Sequence, residues 1–281
     1  MIPPTIVASR NDLNTALLSW RIANKSIGFV PTMGALHAGH ISLIQEAVMT
    51  CDVVVVSIFV NPTQFNKAED LAQYPKTLEA DLLLLKNFTN VIIFVPEVSE
   101  IYQNNVLPTQ IDFNSICERL EGKFRPGHFD GVAQVVEILF KIVQPQKAFF
   151  GQKDYQQVLV VKKLVKALEL PIEIVACSTK RELNGLAMSS RNLLLSEQEI
   201  KDAEIIWKTL CFVQEKKDKY SIITLKKLAT DFFNEGSLCL EYLEIVNAAD
   251  LSPIKDWEED CVCCIAAFCG KVRLIDNLVL N

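Results

Sequence analysis

The 281-residue sequence contains no apolar stretch approaching the roughly 20 residues a membrane-spanning helix needs; its longest run, Val53–Val60, is interrupted by Ser57. Nor does it carry a block of basic residues. Its 28 Lys and Arg against 34 Asp and Glu leave a net charge of -6, which argues against duplex nucleic acid or a polyanionic surface as main partner. A small anionic ligand stays compatible, because a local cluster of donors binds phosphate inside an acidic protein. Met1–Asp12 lacks a basic start followed by a long apolar stretch, so no secretory leader is expected and the expected compartment is the cytoplasm. The nine cysteines are then expected to be reduced. They offer no two C-x2-C pairs for zinc. Four of them, Cys261, Cys263, Cys264 and Cys269, fall in CVCCIAAFC, which reads as a core strand with cysteine packing as a small hydrophobe. Ten Gly and eleven Pro without a period exclude a collagen-like chain, and no repeat, heptad or Gly/Ser linker is visible. A hydrophobic share of 50% excludes global disorder.

What is present is an alternation of short β-branched runs with helical stretches. Strands are expected at Ser26–Val30, Val53–Val60, Val91–Val95, Lys147–Phe150 and Ile172–Cys177. Helices are expected at His40–Thr50, Thr77–Asn87 (with Thr77 as N-cap), Phe129–Val143 and Tyr155–Leu168. This order predicts an α/β fold, a doubly wound parallel sheet covered by helices on both faces. The pattern changes over Thr179–Leu195. Helices at Ser196–Lys217 (capping-box pair Ser196 and Glu199) and Ser221–Glu235 (stop at Gly236) are followed by strands at Leu240–Val246, Cys261–Phe268 and Val272–Ile275. They predict a smaller α+β C-terminal domain. The boundary is placed at residue 180, giving domains 1–180 and 181–281.

The strongest local signal lies between the first expected strand and the first expected helix: Pro31-Thr32-Met33-Gly34-Ala35-Leu36-His37-Ala38-Gly39-His40. Two of the three histidines fall in one turn. The glycines let backbone approach a ligand, and a helix N-terminus presents free N–H groups to phosphate. Two imidazoles there can donate hydrogen bonds or act as acids. Asn61-Pro62-Thr63-Gln64-Phe65, Gly151-Gln152-Lys153-Asp154 with Gln156 and Gln157, and Thr179-Lys180-Arg181-Glu182 each directly follow an expected strand. In open α/β sheets such loops converge on one crevice. Met188-Ser189-Ser190-Arg191 adds two hydroxyls and a guanidinium suited to phosphate oxygens, and Arg125 and His128 precede an expected helix. Asp81 and Asp154 are carboxylates able to hold Mg²⁺ with phosphate oxygens. Taken singly, each of these residues also reads as an ordinary turn, loop amide or solvated charge.

Taken together, PTMGALHAGH, FVNPTQF, RPGHFDGV, FGQKDYQQ and MSSRN, in this order and spacing, resemble the pantoate–β-alanine ligase family, within a wider group of H-x-G-H nucleotidyltransferases. The resemblance implies a Rossmann-like N-terminal domain, a smaller C-terminal lid domain and a homodimer. It implies ATP-dependent joining of (R)-pantoate to β-alanine with Mg²⁺, through a pantoyl adenylate, releasing AMP and pyrophosphate. By resemblance, ATP is held by Met33, Gly34, Ala35, Leu36, His37, Ala38, Gly39 and His40, by Gly151, Gln152, Lys153 and Asp154, by Lys180, and by Met188, Ser189, Ser190 and Arg191. His40 is carried over as the catalytic acid, Gln64 and Gln157 as the pantoate site, Gln64 also as the β-alanine site, and Asp81 as an acidic residue near the metal.

There are departures. Gln152 stands where the family often has Glu, and Lys180 where an apolar residue is common, so adenine contact there is expected through backbone. The segment VSEIYQNN after Pro96 lacks the family's usual Pro-Gly and predicts a locally different loop. The enzyme alternative is another H-x-G-H nucleotidylyltransferase with a different small acceptor; the amides Gln64 and Gln157 favour a carboxylate and hydroxyls over an acceptor phosphate. A nucleotide-binding regulator without turnover is the non-enzyme alternative, and intact His37, His40, Lys153 and Arg191 argue against it.

Overall fold

Six segments rich in Val, Ile and Phe pair side by side in a computed structural model that describes residues 4–66, 68–102, 111–257 and 260–280. They are β1 (Thr5–Val7), β2 (Ile27–Thr32), β3 (Val53–Ile58), β4 (Val91–Phe94), β5 (Lys147–Gly151) and β6 (Glu173–Cys177). The order is β1-β4-β3-β2-β5-β6, and every pairing is parallel. All six residues of β3 are buried, as expected of a central strand covered on both faces. From β2 the sheet grows through β3 in one direction and through β5 in the other. That reversal opens a crevice beyond the carboxyl ends of the strands. Helix Ala38–Thr50 packs against β2, β3 and β5 on one side. Helix His128–Val143 covers the other, burying Val132, Val136, Leu139, Phe140 and Val143 with Phe29 and Phe150. Each such side chain contributes roughly 1.5–3 kcal/mol by leaving water.

The C-terminal domain is a three-stranded antiparallel sheet, β7 (Cys239–Asn247), β8 (Cys261–Cys269) and β9 (Val272–Leu280), in the order β7-β8-β9. Helices Glu204–Lys216 and Ile222–Phe233 cover one face. Side chains alternate across a strand. Cys261, Cys263, Ile265 and Ala267 therefore enter the core under these helices, while Val262 and Cys264 enter the core of the large sheet. The unbroken apolar run CVCCIAAFC follows from this two-sided burial. Its cysteines are buried free thiols in a core strand, as expected.

Several local expectations are corrected. β1 and helix Arg10–Ile22 were not expected: β1 has three residues, and only Leu13 and Leu17 of that helix are buried. Thr77 makes no side-chain cap; its hydroxyl donates to Asp81 instead, 3.2 Å. Ser196–Lys217 is two helices, Glu197–Asp202 and Glu204–Lys216, meeting at Ala203, with the Ser196–Glu199 capping box present. The helix expected to stop at Gly236 ends at Phe233, and β9 continues to Leu280. After Pro96 the chain forms a short helix, Val98–Ile101; the rest of the expected loop difference, from Gln103, lies outside the described residues. No helix among the described residues is long and apolar enough to cross a membrane.

Candidate active site

The turn between β2 and helix Ala38–Thr50 is shaped by two residues with left-handed backbone, Gly34 (φ +80°) and Ala35 (φ 49°). It is pinned from behind by Asp81, 2% exposed, whose carboxylate accepts from the Ala35 N–H (3.0 Å), the Leu36 N–H (2.8 Å) and the Thr77 hydroxyl. A methyl group at Gly34 would lie 3.1 Å from that carboxylate. His37 then caps the helix: its Nδ1 accepts from the Gly39 N–H at 3.1 Å, and His40 Nδ1 accepts from the His37 N–H at 3.3 Å. A methyl at Gly39 would press on the His37 ring at 2.8 Å, so this cap requires glycine.

An accepting ring nitrogen carries no proton, so both neutral imidazoles hold theirs on Nε2. Burial pushes His37 down to about 4, with the Lys153 charge adding to it and Asp154 opposing. Burial, His37 and Lys153 push His40 down to about 3. His40 is therefore a neutral imidazole with its proton on Nε2.

These rings border a cavity of about 240 Å³ at the strand ends. Met33, His37, Gly39, His40, Gly151, Lys153, Asp154, Lys180, Met188, Ser189, Ser190 and Arg191 line it, together with Gln64 and Gln157. Gly34, Ala35, Leu36, Ala38 and Gln152 are not on its wall. Ala35 and Leu36 are buried behind it, and the Gln152 carbonyl accepts from Asn277 of β9 at 2.9 Å. The Ser190 hydroxyl donates to the Ala35 carbonyl at 3.0 Å, which ties the 188–191 segment to the histidine turn. The Lys180 carbonyl accepts from the Met188 N–H. Lys153 lies 3.3 Å from Asp154, and Arg191 pairs with Asp70 on the short helix Ala68–Gln73.

A second part of the lining is built on the turn Pro62–Gln64. This turn abuts helix His128–Val143 so closely that a methyl on Gly131 would fall 2.5 Å from the Thr63 carbonyl. Asn61 donates to the Gly131 carbonyl (3.1 Å) and to Gln64 Oε1 (3.3 Å), while Gln64 Nε2 reaches Met33 Sδ at 2.7 Å. Arg125 Nη1 lies 3.0 Å from His128 Nε2, and His128 Nδ1 lies 2.8 Å from the Gln64 carbonyl. Because arginine only donates, His128 accepts on Nε2 and donates from Nδ1. Burial and Arg125 push it down to about 4. Val132, Val135, Val136 and Leu139 of helix His128–Val143 give the cavity an apolar wall. Sequence reasoning singled out Arg125 and His128 without a role. It missed Tyr74, which lines the cavity, and Asp70, which pairs with Arg191; neither carries a motif.

The metal expectation for Asp81 finds no support in its placement. It is not on the cavity wall, and its carboxylate holds the 35–36 amides. Among the described residues no group of three His, Cys, Asp or Glu stands ready to hold a metal ion.

The family model for pantoate-beta-alanine ligase matches residues 5–279. A pantothenate synthetase of Azobacteroides pseudotrichonymphae is 47% identical, covering 97% of this chain and 99% of its own length; one of Porphyromonas gingivalis is 46% identical over 92% of each. The crystal structure of the Thermus thermophilus enzyme superposes with a TM-score of 0.92 at 39% identity, covering 98% of this chain and 99% of its own. That of the Francisella tularensis ligase, described as complexed with beta-gamma ATP and β-alanine, gives 0.81 at 36% identity over 98% and 97%. With full-length matches in sequence and fold, the chain belongs to the pantoate–β-alanine ligase family, enzymes that form pantothenate from pantoate and β-alanine.

Proposed function

We propose that this cleft activates (R)-pantoate with ATP and passes the pantoyl group to β-alanine. The observation that carries the reading is the make-up of the cavity lining. Two Nε2–H donors, Lys153 and Arg191 share it with Gln64, Gln157, Arg125 and His128, beside the apolar side chains of Val132, Val135, Val136 and Leu139. The Francisella relative, described with an ATP ligand and β-alanine bound, supports both substrates. Pantoate's carboxylate attacks the α-phosphorus, the bond to the β-phosphate oxygen breaks, and pyrophosphate leaves. Charge gathers on phosphate oxygens, where preorganised donors lower the barrier most. His40 and His37 supply such donors without releasing a proton. Ser189, Ser190, Met188, Lys180 and Gly151 to Asp154 form the nucleotide side, with Gly34, Ala35, Leu36, Ala38 and Gln152 shaping its backbone from behind.

Gln64 and Gln157 hold pantoate, whose methyl groups suit the valine wall. The neutral amine of β-alanine then attacks the acyl carbon beside Gln64, AMP leaves, and the amine gives up a proton. Arg125 is the cation next to the Gln64 turn and suits the β-alanine carboxylate. Mg²⁺ enters this reading as part of the ATP substrate, and among the described residues no cluster of three His, Cys, Asp or Glu side chains is built to hold it alone. The change of pattern near residue 180 divides the chain into domains 1–180 and 181–281, the family resemblance implies a homodimer, and the setting read from the sequence is the cytoplasm. The test is pyrophosphate release with ATP and Mg²⁺, adding pantoate and β-alanine separately and together. Steady AMP, pyrophosphate and pantothenate only with both substrates is the expected result. A folded, ATP-binding protein with no pantoate-dependent reaction overturns it.

A further inference from the structure

Glu121 is 6% exposed and lies behind the cavity, not on its wall. It sits at the start of a short helix, Glu121–Phe124, just after Leu120, whose φ of 44° is strained for a branched residue. The Glu121 N–H donates to Gln156 Oε1 at 3.0 Å, and Gln156 also donates to the Ile116 and Arg119 carbonyls. Backbone strain and a dedicated buried glutamine thus fix where this carboxylate points. Its partners come from the C-terminal domain. Arg273 of β9 gives Nη1 to Oε2 and Nη2 to Oε1, both at 2.7 Å, and the Tyr242 hydroxyl of β7 donates to Oε1 at 2.7 Å. Arg273 is braced in turn by Glu241, whose Oε2 accepts from Nε at 2.9 Å. On the cavity side, Arg125 Nη1 is 3.9 Å from Glu121 Oε2. From Arg125 the chain of hydrogen bonds runs through His128 to the Gln64 carbonyl.

We propose that Glu121 is a positioning residue for the amine-accepting half of the reaction, setting the Arg125 guanidinium from a clamp anchored in the C-terminal domain. The inference rests on the reading above, in which Arg125 meets the β-alanine carboxylate. Arg125 faces two other guanidiniums, those of Arg191 and Arg273, and Glu121 is the buried counter-charge between Arg125 and Arg273. Without that charge the two arginines repel across a desolvated gap, and Arg125 shifts from its place beside His128. The hydrogen bonds and ion pairs of Glu121 run to Gln156, Arg125, Tyr242 and Arg273 and not to the histidine turn, Lys153 or the 188–191 segment, so adenylate formation should depend on it far less than the β-alanine step. The clamp therefore separates the two half-reactions in a way a general packing role would not.

The test compares Glu121→Gln with the wild type in two assays. Pantoate-dependent exchange of labelled pyrophosphate into ATP, without β-alanine, reads the first half-reaction; pantothenate formation against β-alanine concentration reads the second. The expected result is exchange within twofold of wild type, a KM for β-alanine raised tenfold or more, and recovery of most of kcat at saturating β-alanine. Tyr242→Phe, which removes one hydrogen bond to the same carboxylate, should move the β-alanine KM the same way by a smaller factor. It decides the matter if the glutamine variant does not fold. An equal loss in both assays, or a β-alanine KM that is unchanged or lower, overturns the proposal. Failure of the underlying reading is seen separately, as wild-type protein lacking pantoate-dependent exchange.

Discussion

One nitrogen of Arg191, Nη2, lies 3.1 and 3.0 Å from the two carboxylate oxygens of Asp70, so the guanidinium proposed to meet ATP is already paired with an acid. The pair bridges the helix Ala68–Gln73 and the 188–191 segment.

Asp70→Asn should therefore tighten ATP. Both side chains are partly exposed, at 28% and 40%, so the pair is worth about 0.2–1 kcal/mol, and the KM for ATP should fall by roughly 1.5- to 5-fold with kcat little changed. Initial rates against ATP concentration check this, and a raised KM would mean that Asp70 helps hold the nucleotide.

His40→Ala removes an Nε2–H donor aimed at the phosphate end while leaving the helix cap made by His37 in place. Loss of one preorganised donor costs about 100- to 1,000-fold in turnover. Pyrophosphate exchange should drop by that factor while the circular dichroism spectrum and melting curve stay close to wild type. Near-normal exchange would remove His40 from its role.

The three imidazoles should be distinguishable by nitrogen NMR. His37 and His40 should carry the proton on Nε2, and His128 on Nδ1, with none titrating near 6.5 in the folded protein. Their folded values, pushed down to about 4, about 3 and about 4, lie below the ordinary 6.5 of an unfolded chain. As pH falls, the unfolded chain takes up protons first. Stability from these groups is complete above pH 6.5 and is lost progressively toward about 4 and below. Melting temperature should be flat above neutrality and decline from about pH 6.5 downward.

Asp81→Ala should uncouple the histidine turn. It leaves the Ala35 and Leu36 N–H groups buried without their acceptor, at a cost of about 1–3 kcal/mol each. Melting temperature and kcat should both fall. The Mg²⁺ concentration giving half-maximal rate should stay where it is; a large rise would return Asp81 to a metal role.

Much of the large domain was legible because β2 to β6 are short apolar runs followed by polar segments, and His37, Gln64 and Lys153 fall in those segments. β1 escaped because three residues give no period. The Glu121 clamp escaped for a different reason: its partner Arg273 lies 152 positions away, and only the docking of two sheets brings them together. Asp81 read as one acid on a helix, since nothing in sequence tells which buried amides a carboxylate will meet. The neutral state of the histidines was hidden likewise, because it comes from burial and from backbone donors.

Adjacent thiols in β8 belong to different interiors. Cys263 looks into the helix-covered core of the small domain, Cys264 into the interior shared with the large sheet. Side by side in sequence, they keep separate clocks. A motion that parts the small sheet from the large one would bare Cys264 while Cys263 stays sealed, and only unravelling of the small domain itself would free the second. The pace at which a thiol reagent finds each one would distinguish parting of the two sheets from melting of the small one.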